Sequence, residues 1–273
     1  MSSSPPQPVV TGRTRLYGIM GDPVAQVKSP GVFNPRIAAA GVDAVLVPLH
    51  VRTEAFEETV RGLMRLGNLD GLIATVPHKL RMLALADRVL PTGTQVGAIN
   101  AMRREPDGTW TGDMFDGRGL VRGVRDRGIK IEGRRALLIG TGGAGSAVAV
   151  ALAEAGASAV TLHDLDQPKA EALAGRIREA YPACRVEVGP PTVDGHDLLI
   201  NATPIGMAPG DGLPVPLPQL DPETVVVDVI NQAEPTPFLA HAQACGCRTV
   251  DGRAMLAGQA EELARFFGFS GAA

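Results

Sequence analysis

The sequence has few cysteines, no excess of charge of either sign and no long apolar run. Its three cysteines among 273 residues are too few and too scattered for a disulfide framework or a zinc site, which fits a reducing compartment. With 26 basic against 29 acidic residues, nucleic acid or an anionic membrane surface finds no electrostatic support as a partner. No apolar stretch reaches the roughly 18 residues that a membrane-spanning helix needs. We therefore expect a soluble globular protein.

The amino terminus gives no sign of export. Residues 1–10 are rich in Ser and Pro and lack the basic start and apolar centre of a signal peptide. We expect a cytoplasmic protein, a monomer or a homodimer, whose residues 1–13 form a disordered tail. No His, Cys and carboxylate residues recur with the spacing of metal ligands, so we expect no metal.

Short apolar runs alternate with longer amphipathic stretches along the chain. The runs that predict strands are Leu16–Met20, Ala44–Leu49, Gly71–Val76, Ala136–Gly140, Ala159–Leu162, Leu198–Ala202 and Val225–Val229. The patterns that predict helices cover Pro30–Ala40, Thr53–Leu66, Gly143–Ala155, Pro168–Ala180, Thr236–Ala244 and Ala254–Phe267. This alternation predicts an α/β fold in which helices cover both faces of parallel sheets.

A charged, glycine-rich segment at residues 116–135 divides this pattern into two blocks. At about 150 residues per domain, the length also predicts two domains. We place the first α/β domain at residues 14–117 and the second at residues 118–250. The helical pattern that follows Gly252 could complete either of them.

The second block carries the pattern GxGxxG between a predicted strand and a predicted helix. The first glycine of such a loop allows a tight turn, the second lets the backbone approach a pyrophosphate, and the third packs the helix against the strand. The start of the helix then offers N–H groups to phosphate oxygens. The residues that we predict to bind a dinucleotide in this way are Gly140, Gly142, Gly143, Ala144 and Gly145.

The acidic residue at the end of the next predicted strand indicates which dinucleotide binds. Asp164 follows Gly140 by 24 residues, where its carboxylate can accept hydrogen bonds from both ribose hydroxyls of an adenosine. The local sequence His-Asp-Leu-Asp has two acids and no basic residue before Lys169, so it would repel a 2′-phosphate. The sequence therefore favours NAD as the cofactor over NADP.

A series of polar and glycine-rich segments interrupts the apolar pattern. They read GDPVAQVKSPGVFN at 21–34, TVPHK at 75–79, GAIN at 97–100, GDMFDG at 112–117, GTGGAGSA at 140–147, NATPIGM at 201–207 and DGRAMLAGQA at 251–260. This ordered set resembles the shikimate/quinate dehydrogenase family, and so many motifs in order make chance improbable. The resemblance implies an N-terminal α/β substrate domain and a Rossmann-type doubly wound parallel sheet. It also implies that residues of about 251–273 return to complete the first domain.

The resemblance assigns roles to individual residues. Lys79 and Asp116 correspond to the family's catalytic pair, and a lysine can relay the hydroxyl proton while the nicotinamide takes the hydride. The residues that the resemblance implies contact the substrate are Ser29, Thr75, Asn100 and Gln259. Those that it implies contact the nucleotide beside the nicotinamide are Asn201, Thr203, Met207 and Val229. We interpret His78 as structural.

At several positions that the family uses to recognise its substrate, the sequence departs from the family's pattern. Where the family has Ser-x-Ser-Pro, this sequence has Val-Lys-Ser-Pro at Val27–Pro30, so the first serine is lost. Ile73 stands where the family has Asn. Met114-Phe115 replaces Asn-Thr, and Asn231 replaces a Tyr. The lost hydroxyls and amides belong mostly to groups that hold a carboxylate or the ring substituents. The residues thus support the reaction type more strongly than the substrate.

Three functions are compatible with these residues. The first is reversible hydride transfer between a ring alcohol of a cyclic hydroxy acid and NAD, as in the shikimate pathway of aromatic amino acid biosynthesis. The second is the same reaction on a different cyclic alcohol, aminoshikimate-like or less polar. The third is a non-catalytic sensor that binds NAD and a metabolite, against which the retained Lys79 and Asp116 argue.

Overall fold

The structure is a computed structural model that describes residues 10–269. Most of the tail predicted at 1–13 therefore lies outside the described residues. The described chain divides into two compact units, one of residues 10–115 with 260–269 and the other Asp116–Gln259. Within this part of the chain, no helix is both long and apolar enough to cross a membrane.

The first unit is built on one six-stranded sheet. Its strands are β1 Arg15–Gly21, β2 Ala44–His50, β3 Leu69–Ala74, β4 Arg88–Val89, β5 Ala101–Arg104 and β6 Trp110–Asp113, in the order β2-β1-β3-β5-β6-β4. Its helices are α1 Ser29–Ala39, α2 Phe56–Leu63, α3 Lys79–Met82 and α4 Pro91–Val96. The predicted helix at 53–66 is thus shorter than expected, because a 3-10 turn occupies Thr53–Ala55.

This sheet is not wholly parallel, which corrects the sequence-based expectation. The strand β5 runs antiparallel to both β3 and β6. The antiparallel pairing of β5 with β6 follows from the sequence Pro106-Asp107-Gly108, a turn signal that closes a hairpin with a Glu105 N to Thr109 O bond of 2.8 Å. Neighbouring strands that a tight hairpin joins must run antiparallel.

The second unit is a doubly wound parallel sheet, as predicted. Its strands are β7 Arg135–Ile139, β8 Ala159–His163, β9 Arg185–Val188, β10 Leu198–Asn201, β11 Val225–Asp228 and β12 Arg248–Val250, in the order β12-β11-β10-β7-β8-β9. Its helices are α5 Asp116–Arg125, α6 Gly143–Glu154, α7 Gln167–Ala180 and α8 Pro237–Ala244. The strand order reverses between β7 and β10, and open α/β sheets bind ligands at the carboxyl ends of the strands beside such a switch point.

The segment at 116–135, interpreted from sequence as a charged boundary, begins with a packed helix. Three glycines of α5 lie on its buried side. A Cβ atom at Gly117 would come within 2.0 Å of the Ala147 carbonyl oxygen of α6, and one at Gly123 within 2.5 Å of the Ala254 carbonyl oxygen. The glycines therefore serve close helix packing rather than chain flexibility.

The last helix, α9 Gly252–Phe267, returns to the first unit as the resemblance implied, but only from Ala260 and not from about residue 251. From Ala260 onward its residues join the apolar core of that unit. The Phe266 ring lies 4.8 Å from that of Phe115, and the Phe267 ring lies edge-on to Tyr17 at 5.1 Å. Aromatic contacts of this kind add about 0.5–1.5 kcal/mol each beyond the area that they bury.

Candidate active site

The glycine-rich turn of the second unit joins β7 to α6 at the carboxyl edge of the sheet. Gly140 has a φ of +93°, a left-handed conformation that favours glycine. A Cβ atom at Gly145 would lie 2.0 Å from the Gly140 carbonyl oxygen, so a side chain there would force the turn apart. The structure thus gives the first and third glycines of the pattern a role inside the protein.

Gly142 is different, because nothing in the protein requires a glycine there. Its φ is −65°, and an added Cβ would meet no atom within 4 Å. The space above it is open, and α6 begins at the next residue with no side-chain cap on its first turn. These residues fit the pyrophosphate of a dinucleotide, whose close approach gives a reason for glycine at this position.

Asp164 follows β8 and is hydrogen-bonded to the glycine-rich turn. Its Oδ2 accepts from the Thr141 amide at 2.6 Å and from the Thr141 hydroxyl at 2.7 Å, and its Oδ1 accepts from the Asp166 amide at 2.9 Å. Partial burial raises the pKa of Asp164, but these hydrogen bonds outweigh it and hold the pKa below its ordinary value. A carboxylate has about four acceptor positions, so about one remains for a ribose hydroxyl where we expected two.

A buried polar network stabilises the segment 201–207. Asn201 and Asp228 end neighbouring strands and are fully buried. The Asn201 amide donates to the Asp228 carboxylate at 3.2 Å and to the Ile205 carbonyl at 3.2 Å, while its oxygen accepts from the Thr203 hydroxyl at 2.7 Å. The network thus fixes the start of the segment that was predicted to contact the nucleotide.

Sequence reasoning missed Asp228, which lies at the end of a strand pattern and gave no motif of its own. Its carboxylate also accepts from the Thr236 hydroxyl at 2.7 Å and from the Ile230 amide at 3.0 Å. Of the other residues predicted beside the nucleotide, Met207 is exposed, and the Val229 amide donates to the Asn201 carbonyl at 3.0 Å. The signal that could have indicated Asp228 is an acid directly after three valines, followed eight residues later by the Thr-Pro start of a helix.

In the first unit, Lys79 stands just beyond the carboxyl end of β3 and opens α3. The preceding His78 is buried, donates from Nε2 to the Val51 carbonyl at 2.8 Å and stacks on Phe56 at 4.4 Å. Burial lowers the pKa of His78, which favours the neutral imidazole. The Lys79 carbonyl also accepts from the Ile99 amide at 3.2 Å. This loop therefore presents Lys79 from a fixed backbone, and His78 has the structural surroundings that we expected.

The predicted substrate contacts of the first unit lie near the same edge of the sheet. Asn100 is fully buried, and its side-chain oxygen accepts from the Phe115 amide at 2.9 Å. Its own carbonyl accepts from the Ala74 amide at 2.8 Å, which places it beside the residue before Thr75. Ser29 is buried at the first position of α1, which follows β1 along the chain.

Asp116 and Gln259 belong to the second unit and are bonded to each other. The Gln259 amide donates to Asp116 Oδ1, and Asp116 is fully buried at the start of α5. Gly119 allows the approach, since a Cβ there would lie 2.8 Å from the Gln259 Cα. Lys79 belongs to the first unit, so its pairing with Asp116 stays a prediction.

Three of the departures from the family's pattern share one apolar cluster in the first unit. Ile73 and Phe115 are core members, and Val27 packs against the same cluster. Met114 is fully buried as well. Since apolar side chains fill these positions, they bring no hydroxyl or amide to a substrate.

A separate cavity of about 480 Å³ opens at the amino ends of β7, β10 and β11, the edge opposite the glycine-rich turn. None of the predicted site residues lines it. Ligands of parallel α/β sheets bind at the carboxyl edge. The prediction of a nucleotide site at Gly140 and Asp164 therefore does not involve this cavity.

Comparisons with known proteins agree with this geometry. The family domain described as the shikimate dehydrogenase substrate binding domain matches residues 19–102. The shikimate dehydrogenase (NADP(+)) of Rubrobacter xylanophilus is 39% identical over 264 residues, which cover 94% of this chain and 92% of that protein.

Solved structures share the fold over nearly the whole chain. The 5-ketofructose reductase of Gluconobacter sp. strain CHM43 is 31% identical, with a TM-score of 0.84 and 94% of each chain covered. The shikimate 5-dehydrogenase of Listeria monocytogenes, in complex with shikimate and NAD, is 27% identical, with a TM-score of 0.86 and 95% and 92% covered.

A parallel sheet whose glycine-rich turn is hydrogen-bonded to the acid of the next strand is typical of a dinucleotide-binding oxidoreductase. The relatives narrow this class to enzymes that act on a CH–OH group. The chain belongs to the shikimate dehydrogenase family.

Proposed function

We propose that the protein transfers a hydride reversibly between a ring alcohol of a cyclic hydroxy acid and a nicotinamide dinucleotide. The observation that carries the proposal is the open glycine at position 142, beside a turn that Thr141 joins to Asp164. The named activity of the Rubrobacter relative and the ligands of the Listeria structure support the substrate class.

The chemistry assigns separate tasks to individual residues. Oxidation of an alcohol removes a hydride from carbon and a proton from oxygen, and the bound nicotinamide supplies the hydride acceptor. In our proposal Lys79 Nζ takes the hydroxyl proton and Asp116 hydrogen-bonds the reacting alcohol, with Gln259 orienting the carboxylate through their bond. Asn100, Ser29 and Thr75 orient the ring hydroxyls.

We also propose that NAD is the preferred cofactor, although the Rubrobacter relative is named for NADP(+). Asp164 is held ionised at the ribose position, and the next side chain, Leu165, is 96% exposed and offers no charge to a 2′-phosphate. The nearby cation, Lys169, lies 3.9 Å from Asp164 Oδ2 and is paired with it. A 2′-phosphate would therefore lie beside the Asp164 carboxylate, whose negative charge repels it, and beside a lysine that is already paired with that carboxylate.

A second candidate substrate is a neutral cyclic or sugar-like ketone and its alcohol. Two observations favour it: the apolar cluster formed around Val27, Ile73 and Phe115, and the likeness to the Gluconobacter 5-ketofructose reductase. Apolar side chains hold a carboxylate poorly, because each lost hydrogen bond to a charged group costs about 1.5–3 kcal/mol. A substrate without a carboxylate loses nothing by these replacements.

The deciding experiment is steady-state turnover with shikimate, quinate, dehydroshikimate and 5-ketofructose, each with NAD or NADP in the appropriate redox state. Turnover of a cyclic hydroxy acid supports the first substrate class, and turnover of the ketose alone supports the second. Tight nucleotide binding with no turnover of any compound in the panel would contradict both and favour a sensor. The Lys79→Met variant, measured alongside, separates turnover by this site from contaminating activity.

A further inference from the structure

Thr141 occupies the variable position between the first two glycines of the GTGGAG turn. The glycine pattern itself demands nothing of this residue. Yet its side chain is fully buried, and both its amide and its hydroxyl donate to Asp164 Oδ2, at 2.6 and 2.7 Å. The turn and the acidic strand end, which recognise different parts of a dinucleotide, are thereby joined directly.

Thr141 is also held in place by a residue of α6. The Ser146 hydroxyl, in the first turns of α6, donates to the Thr141 carbonyl at 2.9 Å. Asp164 is fixed in turn by the Asp166 amide at Oδ1. The carboxylate therefore has its orientation before any nucleotide arrives, and preorganisation of this kind raises affinity by lowering the entropy lost on binding.

We propose that Thr141 is a positioning residue that sets the choice between NAD and NADP through Asp164. Its hydroxyl keeps the carboxylate facing the ribose site, where it binds a 2′-hydroxyl and repels a 2′-phosphate. Without that bond, only the Thr141 and Asp166 amides hold the carboxylate, which can then move closer to Lys169, whose Nζ is 3.9 Å from Oδ2. A weaker hydrogen bond to the 2′-hydroxyl and a weaker repulsion of a 2′-phosphate both lower the preference for NAD. The proposal rests on the nucleotide site and the NAD preference argued above.

Two substitutions isolate the hydroxyl. Thr141→Val keeps the shape and the backbone amide bond but removes the hydroxyl donor, whereas Thr141→Ser keeps the donor. A hydrogen bond to a charged group is equivalent to a factor of about ten or more. Since the amide bond remains, we expect Thr141→Val to lower the ratio of NAD to NADP affinity by about three- to tenfold, and Thr141→Ser to restore most of it.

The measurement is calorimetric titration of wild type, Thr141→Val and Thr141→Ser with NAD and with NADP, with thermal unfolding to show that each variant is folded. A ratio that falls in the Val variant and recovers in the Ser variant supports the proposal. Equal loss of both nucleotides indicates a purely structural role and overturns it, as does an unchanged ratio. If Thr141→Val fails to fold, the Ser variant and Thr141→Ala provide the same comparison. A wild type that prefers NADP would instead refute the NAD assignment, independently of what the substitutions do.

Discussion

The side chains of Asn201 and Asp228 pair across two neighbouring parallel strands, with the amide nitrogen 3.2 Å from both carboxylate oxygens. The groups that donate hydrogen bonds to this carboxylate, from Asn201, Ile230 and Thr236, are neutral. Ionisation of so buried a group is costly unless hydrogen bonds offset it. Burial accordingly raises the pKa of Asp228, and the three hydrogen-bonding partners offset only part of that rise.

The raised pKa of Asp228 predicts how its contribution to stability depends on pH. A carboxylate whose pKa is raised in the folded state stabilises the fold most below its unfolded pKa of about 3.9, and this contribution is lost as pH rises through the folded pKa. The free energy of unfolding of wild type, relative to Asp228→Asn, should therefore fall as the pH rises from about 4. Urea unfolding of both proteins across this range measures it.

Asp211 offers a control of opposite sign. The amides of Ala208 and Gly206 hydrogen-bond its carboxylate and lower the pKa of Asp211. Relative to Asp211→Asn, wild type should become less stable as pH falls through that lowered pKa. If the two variants show the same pH trend, the assigned burial of the Asp228 charge is wrong.

Gly142 and Gly145 should respond differently to the same substitution. Gly142→Ala meets no protein atom, so the fold should keep its thermal stability while the affinity for NAD falls by tenfold or more, roughly the effect of a displaced pyrophosphate contact. Gly145→Ala would collide with the Gly140 carbonyl, and overpacking of this kind costs about 1–3 kcal/mol. Thermal unfolding and calorimetry separate the two effects, and unchanged NAD affinity in Gly142→Ala would place the nucleotide elsewhere.

Asp164→Ala should reduce the preference for NAD over NADP. The substitution removes a ribose hydrogen bond and the repulsion of a 2′-phosphate, so NAD binding weakens while NADP binding improves. The ratio of kcat/KM values for the two cofactors measures the change. Lys169→Gln, which removes the paired cation and leaves the carboxylate, should not lower the NAD preference. A wild type that works better with NADP would contradict our assignment.

Lys79→Met should lower turnover by about 10²–10⁴-fold, the usual contribution of a positioned proton-transfer group. Because the nucleotide site is built from the other unit, the dissociation constant for NAD should change little. Lys130→Met, which removes an exposed lysine outside the predicted site, serves as the control and should keep wild-type turnover. Near-normal turnover in a folded Lys79→Met protein would contradict the proposed role of Lys79.

Val27→Ser tests whether the loss of the family's serine at this position has altered substrate recognition. A regained hydroxyl bond to a carboxylate is equivalent to about 1.5–3 kcal/mol, or roughly 10–100-fold in kcat/KM for shikimate. Val32→Ser is the matched control, since Val32 packs against the same cluster but was not predicted to contact substrate. We expect wild type to oxidise shikimate poorly unless Ser29, Lys28 or Asn231 supplies a replacement contact. Efficient shikimate oxidation by the unmodified protein would refute the altered specificity.

Local patterns in the sequence were sufficient for the long, strongly periodic elements. Strands such as β7 and β10 and helices such as α6 and α7 were predicted within one or two residues, because apolar periodicity directly reflects which face is buried. The strands β4, β5, β6, β9 and β12 were not predicted, because each combines only one or two apolar residues with polar or charged ones and forms no apolar run. The helix α5 was not predicted, because its glycines indicate a loop when only neighbours in sequence are considered. In the structure, these glycines contact α6 and α9.

The sequence by itself determined the α/β class, the glycine-rich turn with its acid at position 164, and the family, because each depends on residue types at short, fixed spacings. Only the tertiary structure revealed that Thr141 bonds Asp164, that Asp228 anchors Asn201, and that Val27, Ile73 and Phe115 meet in one cluster. These partners lie 23 to 88 residues apart in the chain. Their contacts follow from strand order and helix packing, which no local pattern encodes.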